Sequence, residues 1–304
     1  MTLSRILSTV GRRGLWSPTV RVAVGAFLIS FSPVFVKLAD VGPAAVAFYR
    51  LLIGGVVLLV LAMGRIRQWQ TRAFLLAGLC GMIIAVDLSV WHLSIQLIGP
   101  GLATILGNHQ VFVLSAVGVL FLGERLTARL GFAIVLAMFG LFLIFGLEWG
   151  EFDTGFKLGV VLGVITAFLY ATFLLVLRHV QSGSAAPDPV VTMSILSLVG
   201  AGVLAAYVWV GTESFVVAGS TTWLILAAYA ILCHVIGWLL ISTGLPGLEV
   251  SRAGLILLLQ PALAFVWDVV VFSRPTAVIE VLGAVLALTA IYLGAARNGE
   301  RRAT

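Results

Sequence analysis

Along nearly the whole chain, apolar residues come in long blocks, and polar or charged residues are concentrated at the joints between them. Stretches such as "LLIGGVVLLVLAMG" (51–64) lack the strict alternation of a half-buried strand. Ten blocks can be drawn, at about 20–38, 43–63, 73–97, 101–122, 129–147, 157–178, 190–210, 221–243, 250–272 and 277–296. Each is close to the roughly 20 residues that a helix needs to cross the hydrocarbon layer. In lipid the backbone must satisfy its own N–H and C=O groups, which leaves helices or a closed barrel, and barrel strands would alternate over about ten residues. The pattern predicts an all-α integral membrane protein with ten transmembrane helices.

Composition agrees: of 304 residues, 61% are hydrophobic and 10% charged, against roughly 25% charged in a soluble domain. The net charge of +6 has a topological cause. If the N-terminus is cytoplasmic, all but Lys37, Arg50, Lys157 and Arg274 of the 18 Lys and Arg fall on or near the cytoplasmic side. That is the positive-inside bias, and it places both termini in the cytoplasm without calling on nucleic acid. Residues 1–19 carry Arg5, Arg12 and Arg13 but no compact apolar block before a small-residue cleavage site, so they read as a cytoplasmic tail, with Trp16 as an interface anchor. Cys80 and Cys233 both fall inside spans and read as packing residues, with no metal-ligand spacing around them.

The chain also repeats itself. "DLSVWHLSIQLIGPGL" (87–102) matches the pattern of "HVIGWLLISTGLPGLEV" (234–250), setting Asp87 opposite His234 and Trp91 opposite Trp238. Further on, "NHQVFVLSAVGVLFLGERLT" aligns with "LLQPALAFVWDVVVFSRPT", Gln110 opposite Gln260. The expected units are 20–147 and 157–296, joined by an acidic linker over 148–156 and followed by a cytoplasmic tail over 297–304. Each unit holds five spans. Because five is odd, the copies cross the bilayer in opposite senses, the inverted repeat of many secondary transporters, whose site lies near the midplane around a central cavity.

Two five-helix units, "GPAAVAFYR" leading into span 2 and "GVLFLGERLTARLG" closing span 4 together resemble the EamA-like ten-helix members of the drug/metabolite transporter superfamily. "DLSVWH" followed by "GNHQVF" looks most like the YddG-type exporters of aromatic amino acids within it. The "FSRPTA" counterpart of "LGERLT" has lost the Glu. The resemblance implies outward transport of small metabolites by alternating access across a bacterial inner membrane; no cofactor is expected, a monomer is one option, and the sequence does not give the oligomeric state.

The candidate site residues are the polar and aromatic groups inside the spans. Asn108, His109 and Gln110 stand side by side, and burying one amide without a partner costs roughly 2–7 kcal/mol, so they need other helices, water or a ligand. At 100° per residue they fan over about 200°, so two at most face one cavity. Asn108 shares a polar stripe with Thr104 and Ser115, which fits either a cavity wall or interhelical glue. Asp87 lies well inside span 3 and shares a face with Trp91 and Ser94. It reads as an acceptor for a substrate ammonium group, a proton site, or a structural partner of Arg50.

His92 and His234 are further intramembrane imidazoles, open to proton coupling or to neutral packing roles. Trp91, Trp238, Trp267 and Tyr170 offer flat faces to an aromatic or cationic ligand, although Trp267 beside Asp268 also fits an interface anchor. Gln260 and Pro261 break span 9, and Pro33 breaks span 1, which makes the two prolines candidate hinges. Glu124, at the end of span 4, reads as a loop-fixing partner of Arg125 or Arg129.

No nucleotide-binding or metalloprotease motif appears in the sequence, so the expected energy source is a gradient. The readings in order are an amino-acid exporter, an efflux carrier for drugs or lipophilic cations, and a lipid-modifying enzyme using Asp87 with His92 or His109. For a zwitterion, Asp87 would take the ammonium, Asn108, Gln110 and Gln260 the carboxylate, and Trp91 and Trp238 the side chain.

Overall fold

The computed structural model describes residues 16–64, 71–145, 154–183, 186–211 and 213–295. The expected tails before Trp16 and over 297–304, and the linker over 148–153, lie outside the described residues. Among the described residues nine helices are long and apolar enough to cross a bilayer, and they keep the numbering of the sequence blocks. They are Pro18–Leu38 (span 1), Pro43–Ala62 (span 2), Thr71–Gly99 (span 3), Leu102–Phe121 (span 4), Thr154–Val180 (span 6), Pro189–Val210 (span 7), Ser220–Gly247 (span 8), Val250–Phe272 (span 9) and Val278–Ala295 (span 10). A shorter apolar helix, Ala128–Ile144, occupies the place of span 5. The described residues are otherwise turns and loops, with no strand among them.

Local chemistry marks where the spans begin. Pro18, Pro43 and Pro189 sit in the first turns of spans 1, 2 and 7, where a missing N–H leaves no intrahelical bond unmade. Ser17 and Asp188 cap two of these helices by accepting from the backbone N–H groups of Val20 and Val190. Spans 3 and 4 meet at Gly99, whose φ of 79° suits a residue without Cβ.

Helix contacts come in symmetry-related pairs. Span 3 packs on span 6, and its repeat mate span 8 packs on span 1; span 3 packs on span 7, and span 8 on span 2. Spans 2 and 7, 4 and 9, and 5 and 10 pack on each other, each joining a helix to its own repeat counterpart. Only a twofold relation between the halves maps this contact set onto itself, and with five helices per half that axis lies in the membrane plane. The contacts are made through small residues, as expected where lipid offers no hydrophobic drive and close backbone approach must supply attraction. A Cβ added to Gly140 in span 5 would lie 2.6 Å from the Gly283 carbonyl oxygen in span 10, and the converse substitution would meet the Gly140 oxygen at 2.6 Å.

Two carboxylates stitch the halves together at opposite faces. Glu213, between spans 7 and 8, accepts from the N–H groups of Ala44 at 2.9 Å and Ala45 at 3.1 Å, at the start of span 2. Glu124, at the end of span 4, accepts from Val250 N at 2.6 Å, Ser251 N at 3.2 Å and Ser251 Oγ at 2.8 Å, at the start of span 9. Each places a negative charge against exposed N–H groups and the positive end of a helix dipole. Both oxygens of Glu124 are thus engaged by span 9, a role across the repeats beyond the loop-fixing one expected from its neighbours in sequence.

Four spans are irregular near mid-membrane. Span 1 stops at Ile29 and restarts at Ser32, so Pro33 lies in the first turn of its second piece. Span 4 breaks at His109, where the backbone closes a tighter turn from His109 N to Leu106 O. Span 9 breaks in the same way at Leu258, from its N to Leu255 O, which puts Pro261 in the first turn of the following piece. Span 8 widens into a π-helix over Ala230–Gly237. The breaks in spans 4 and 9 are thus repeat mates.

The glycine contact between spans 5 and 10 yields a stability prediction. Gly140→Val should lower the detergent melting temperature, with overpacking costing about 1–3 kcal/mol. Gly202→Ala, where an added Cβ meets nothing within 4 Å, should melt at or above wild type. Equal melting of Gly140→Val and wild type would contradict the packing described.

Candidate functional site in the middle of the bundle

The break at His109 decides the fate of the three adjacent polar residues. Asn108 Nδ2 donates to Thr104 O at 2.8 Å, and His109 Nδ1 pairs with Ile105 O at 2.8 Å. The expectation that their own helix offers few partners is therefore corrected: each side chain bonds a carbonyl one turn back, and Ile105 O is left to the imidazole because the His109 N–H turns to Leu106 O. His109 is exposed and shares its face with the exposed Phe112, Ala116 and Val119, so it points out of the bundle among apolar neighbours. Gln110 turns inward. It is 0% exposed, and neither of its amide atoms has a hydrogen-bond partner.

Asp87, Trp91 and Ser94 share the face of span 3 that packs on span 6. Ser94 Oγ donates to Gly159 O at 2.8 Å, which fixes the register. Because the two spans run antiparallel, the next turns bring Trp91 toward Thr166 and Asp87 toward Tyr170. Gly107 makes the same junction from span 4: a Cβ there would lie 3.2 Å from Thr166 Cγ2 and 3.9 Å from Trp91 Cδ1. Asp87 is 5% exposed, and its Oδ1 has no partner. The structural pair with Arg50 does not form, since no ion pair within 4.0 Å joins them.

Tyr170 ties this face to the second half. Gln260 Nε2, just past the span 9 break, donates to Tyr170 Oη at 3.4 Å. The Tyr170 ring meets Trp238 edge-on at 6.4 Å, and Phe173 meets the same indole at 5.1 Å. Trp91, His92, Tyr170 and Gln260 all keep some accessible surface although they lie at mid-helix in the bundle. Spans 4 and 9 pack through Gln110–Phe121 against Val250–Leu257; past the breaks, Leu259–Phe272 leans on spans 1 and 10 instead. The result is a polar and aromatic cluster drawn from spans 3, 4, 6, 8 and 9, with Arg50 of span 2 within Coulombic reach of Tyr170.

Other candidates point elsewhere. His234 Nε2 pairs with Ser197 Oγ at 2.7 Å, and its ring presses on span 2, where a Cβ on Gly54 would lie 2.6 Å from its Cδ2. Asp87 and His234, equivalent in sequence, therefore do different jobs. Trp267 donates from Nε1 to Ser30 Oγ at 2.8 Å and stacks on Phe31 at 4.3 Å, clamping span 9 to the break in span 1.

Arg50 and Tyr229 were not among the expected site residues. Arg50 Nη1 donates to Tyr229 Oη at 2.9 Å, and its guanidinium lies 5.4 Å from the centroid of that ring. It is 9% exposed, with no acceptor for Nε. His92, Tyr170, Cys233 and His234 all lie within its Coulombic reach. Thr166, equally unexpected, is buried with Oγ1 unpartnered. The available signal was a basic residue about two turns inside an apolar block.

Ten apolar helices in two symmetry-related halves, with polar breaks at the centre, correspond to a known family. The EamA-like transporter family matches residues 19–146 and again 157–295. The chain belongs to that family. Members of the EamA-like family are transporters, so this is a multi-pass membrane transport protein of the drug/metabolite transporter superfamily. A solved structure described only as "Crystal structure of protein" superposes with a TM-score of 0.77 over 91% of this chain and 95% of that one, at 16% identity, which shows a shared fold. No curated protein matches the sequence.

An accessibility experiment tests the placement of these EamA-family residues. With Cys80 and Cys233 replaced by Ala, Tyr170→Cys should react readily with a charged, membrane-impermeant thiol reagent, and His109→Cys and Phe112→Cys should react much more slowly. The reverse order would mean that the pocket and the lipid face have been exchanged.

Proposed function

We propose that the protein is a secondary transporter of a bacterial inner membrane, both termini cytoplasmic, that exports small amphipathic metabolites, aromatic and other apolar amino acids foremost, by alternating access. One observation carries this reading. Buried side chains inside several spans present polar atoms with no protein partner: Asp87 Oδ1 and Thr166 Oγ1 near Trp91 and Tyr170, and both amide atoms of Gln110 on span 4. Leaving one such atom unsatisfied costs about 1–3 kcal/mol, so several near one another favour a site whose partners arrive with water or substrate.

The aromatic walls suit an apolar side chain, and Asp87 is the acceptor for an ammonium group. Asn108 and Gln260 already donate to Thr104 O and Tyr170 Oη, which leaves Gln110 as the carboxamide with free donors. The outward direction follows the resemblance of "DLSVWH" and "GNHQVF" to exporters, and the positive-inside bias sets the orientation. Gradient energy is sufficient for such a carrier.

The test is flux from proteoliposomes loaded with labelled phenylalanine, tryptophan or leucine. Saturable efflux that Asp87→Asn reduces at least severalfold supports the proposal. Flux of lipophilic amines without any amino acid flux would move the assignment to a cation carrier, and no flux of either class would overturn it.

A further inference from the structure

We propose that Arg50 is the anion-binding group of the central pocket and takes a substrate carboxylate through its guanidinium fork, while Tyr229 holds that fork in position. This rests on the proposed function for the zwitterionic form of the substrate, but the carboxylate contact itself stands on the geometry around Arg50.

A guanidinium carries five N–H donors in a rigid plane whose spacing matches two carboxylate oxygens. Here the structure shows one of them used, Nη1 to Tyr229 Oη, and Nε is buried without an acceptor. Among the described residues no carboxylate lies within 4.0 Å of Arg50. Elsewhere in this protein the pattern is different: Arg274 pairs with Glu280 at 2.7 Å and approaches Asp268 at 3.9 Å, and Lys37 pairs with Asp268 at 3.0 Å. A buried cation is expensive unless an anion joins it, and a neutral phenol does not supply one.

The support for Arg50 is rigid. Tyr229 stacks on Phe35 at 5.5 Å, interplanar angle 17°, which fixes the phenol and through it the guanidinium. Neighbouring groups come from three other spans: His92 from span 3, Tyr170 from span 6, Cys233 and His234 from span 8. None of these is an anion at neutral pH. Asp87, the one carboxylate in the middle of the bundle among the described residues, faces Tyr170 and makes no ion pair with Arg50. The centre of the bundle therefore holds a guanidinium and a carboxylate that do not pair with each other, and a molecule with a carboxylate and an ammonium complements both. Side-chain amides need not supply the carboxylate contact, and two of those assigned to it, on Asn108 and Gln260, are engaged within the protein.

Three ligands isolate the charge: L-phenylalanine, L-phenylalaninamide, which lacks the carboxylate, and 3-phenylpropanoate, which lacks the ammonium. Binding to purified full-length protein is measured for wild type, Arg50→Gln and Arg50→Lys, and each variant's melting curve reports folding. The expected result is that phenylalanine and 3-phenylpropanoate bind roughly 100-fold more weakly to Arg50→Gln, and that Arg50→Lys recovers part of the loss. The amide should bind wild type weakly and change little in either variant.

Binding of 3-phenylpropanoate alone, lost in Arg50→Gln, would uphold the anion site while rejecting amino acids as substrate. The proposal is overturned if wild type binds phenylalaninamide as tightly as phenylalanine, a comparison that needs no variant. It is equally overturned if a folded Arg50→Gln keeps wild-type affinity for the carboxylate ligands, or if wild type binds none of the three.

Discussion

Hydrocarbon offers a polar group no partner, so every N–H, carbonyl, amide and charge inside the bilayer must be answered by the protein or by something the protein admits. Most of this chain meets that constraint with unbroken helices joined through small residues. The informative places are where the helix ladder stops. At His109 and Leu258 the chain makes the same tight turn in the two halves, and the His109 ring takes the Ile105 carbonyl that the first break frees. In a sequence triplet that looks like a ligand cluster, two of the three side chains, those of Asn108 and His109, are spent on carbonyls of their own helix.

The same constraint explains why the halves are joined by carboxylates at their edges. The start of a helix exposes N–H groups that no residue of its own helix can satisfy. Glu213 answers those of span 2 and Glu124 those of span 9, each from the opposite half and at opposite faces of the bundle. At the centre the demand is left partly open: Asp87, Arg50, Thr166 and Gln110 come from four spans, and each has an atom without a partner. The EamA-like architecture brings these groups together because spans 3, 4 and 6 converge where spans 8 and 9 are irregular.

Repeat symmetry shapes the scaffold more strictly than it shapes chemistry. The main helix contacts obey it, but Asp87 and His234, equivalent by sequence, do not. Asp87 faces span 6 beside Tyr170, whereas His234 lies in a π-helical turn with its Nε2 held by Ser197 and its ring against Gly54. Pairing by repeat identified two positions of interest and said nothing about where their side chains point.

The ten blocks, the membrane class and the two-repeat architecture were readable from the order of residues alone, because the length and apolarity of a span are properties of one segment and need no partner. Side-chain partnership is not such a property. Asp87 and Arg50 were a plausible ion pair by charge, and their separation follows from the packing of span 3 on span 6 and of span 2 on spans 7 and 8. His109 faces outward and Gln110 inward because of how span 4 is set among its neighbours, and Glu124 caps span 9, 126 residues away. Those facts depend on distances between helices remote in sequence, which only the assembled bundle sets.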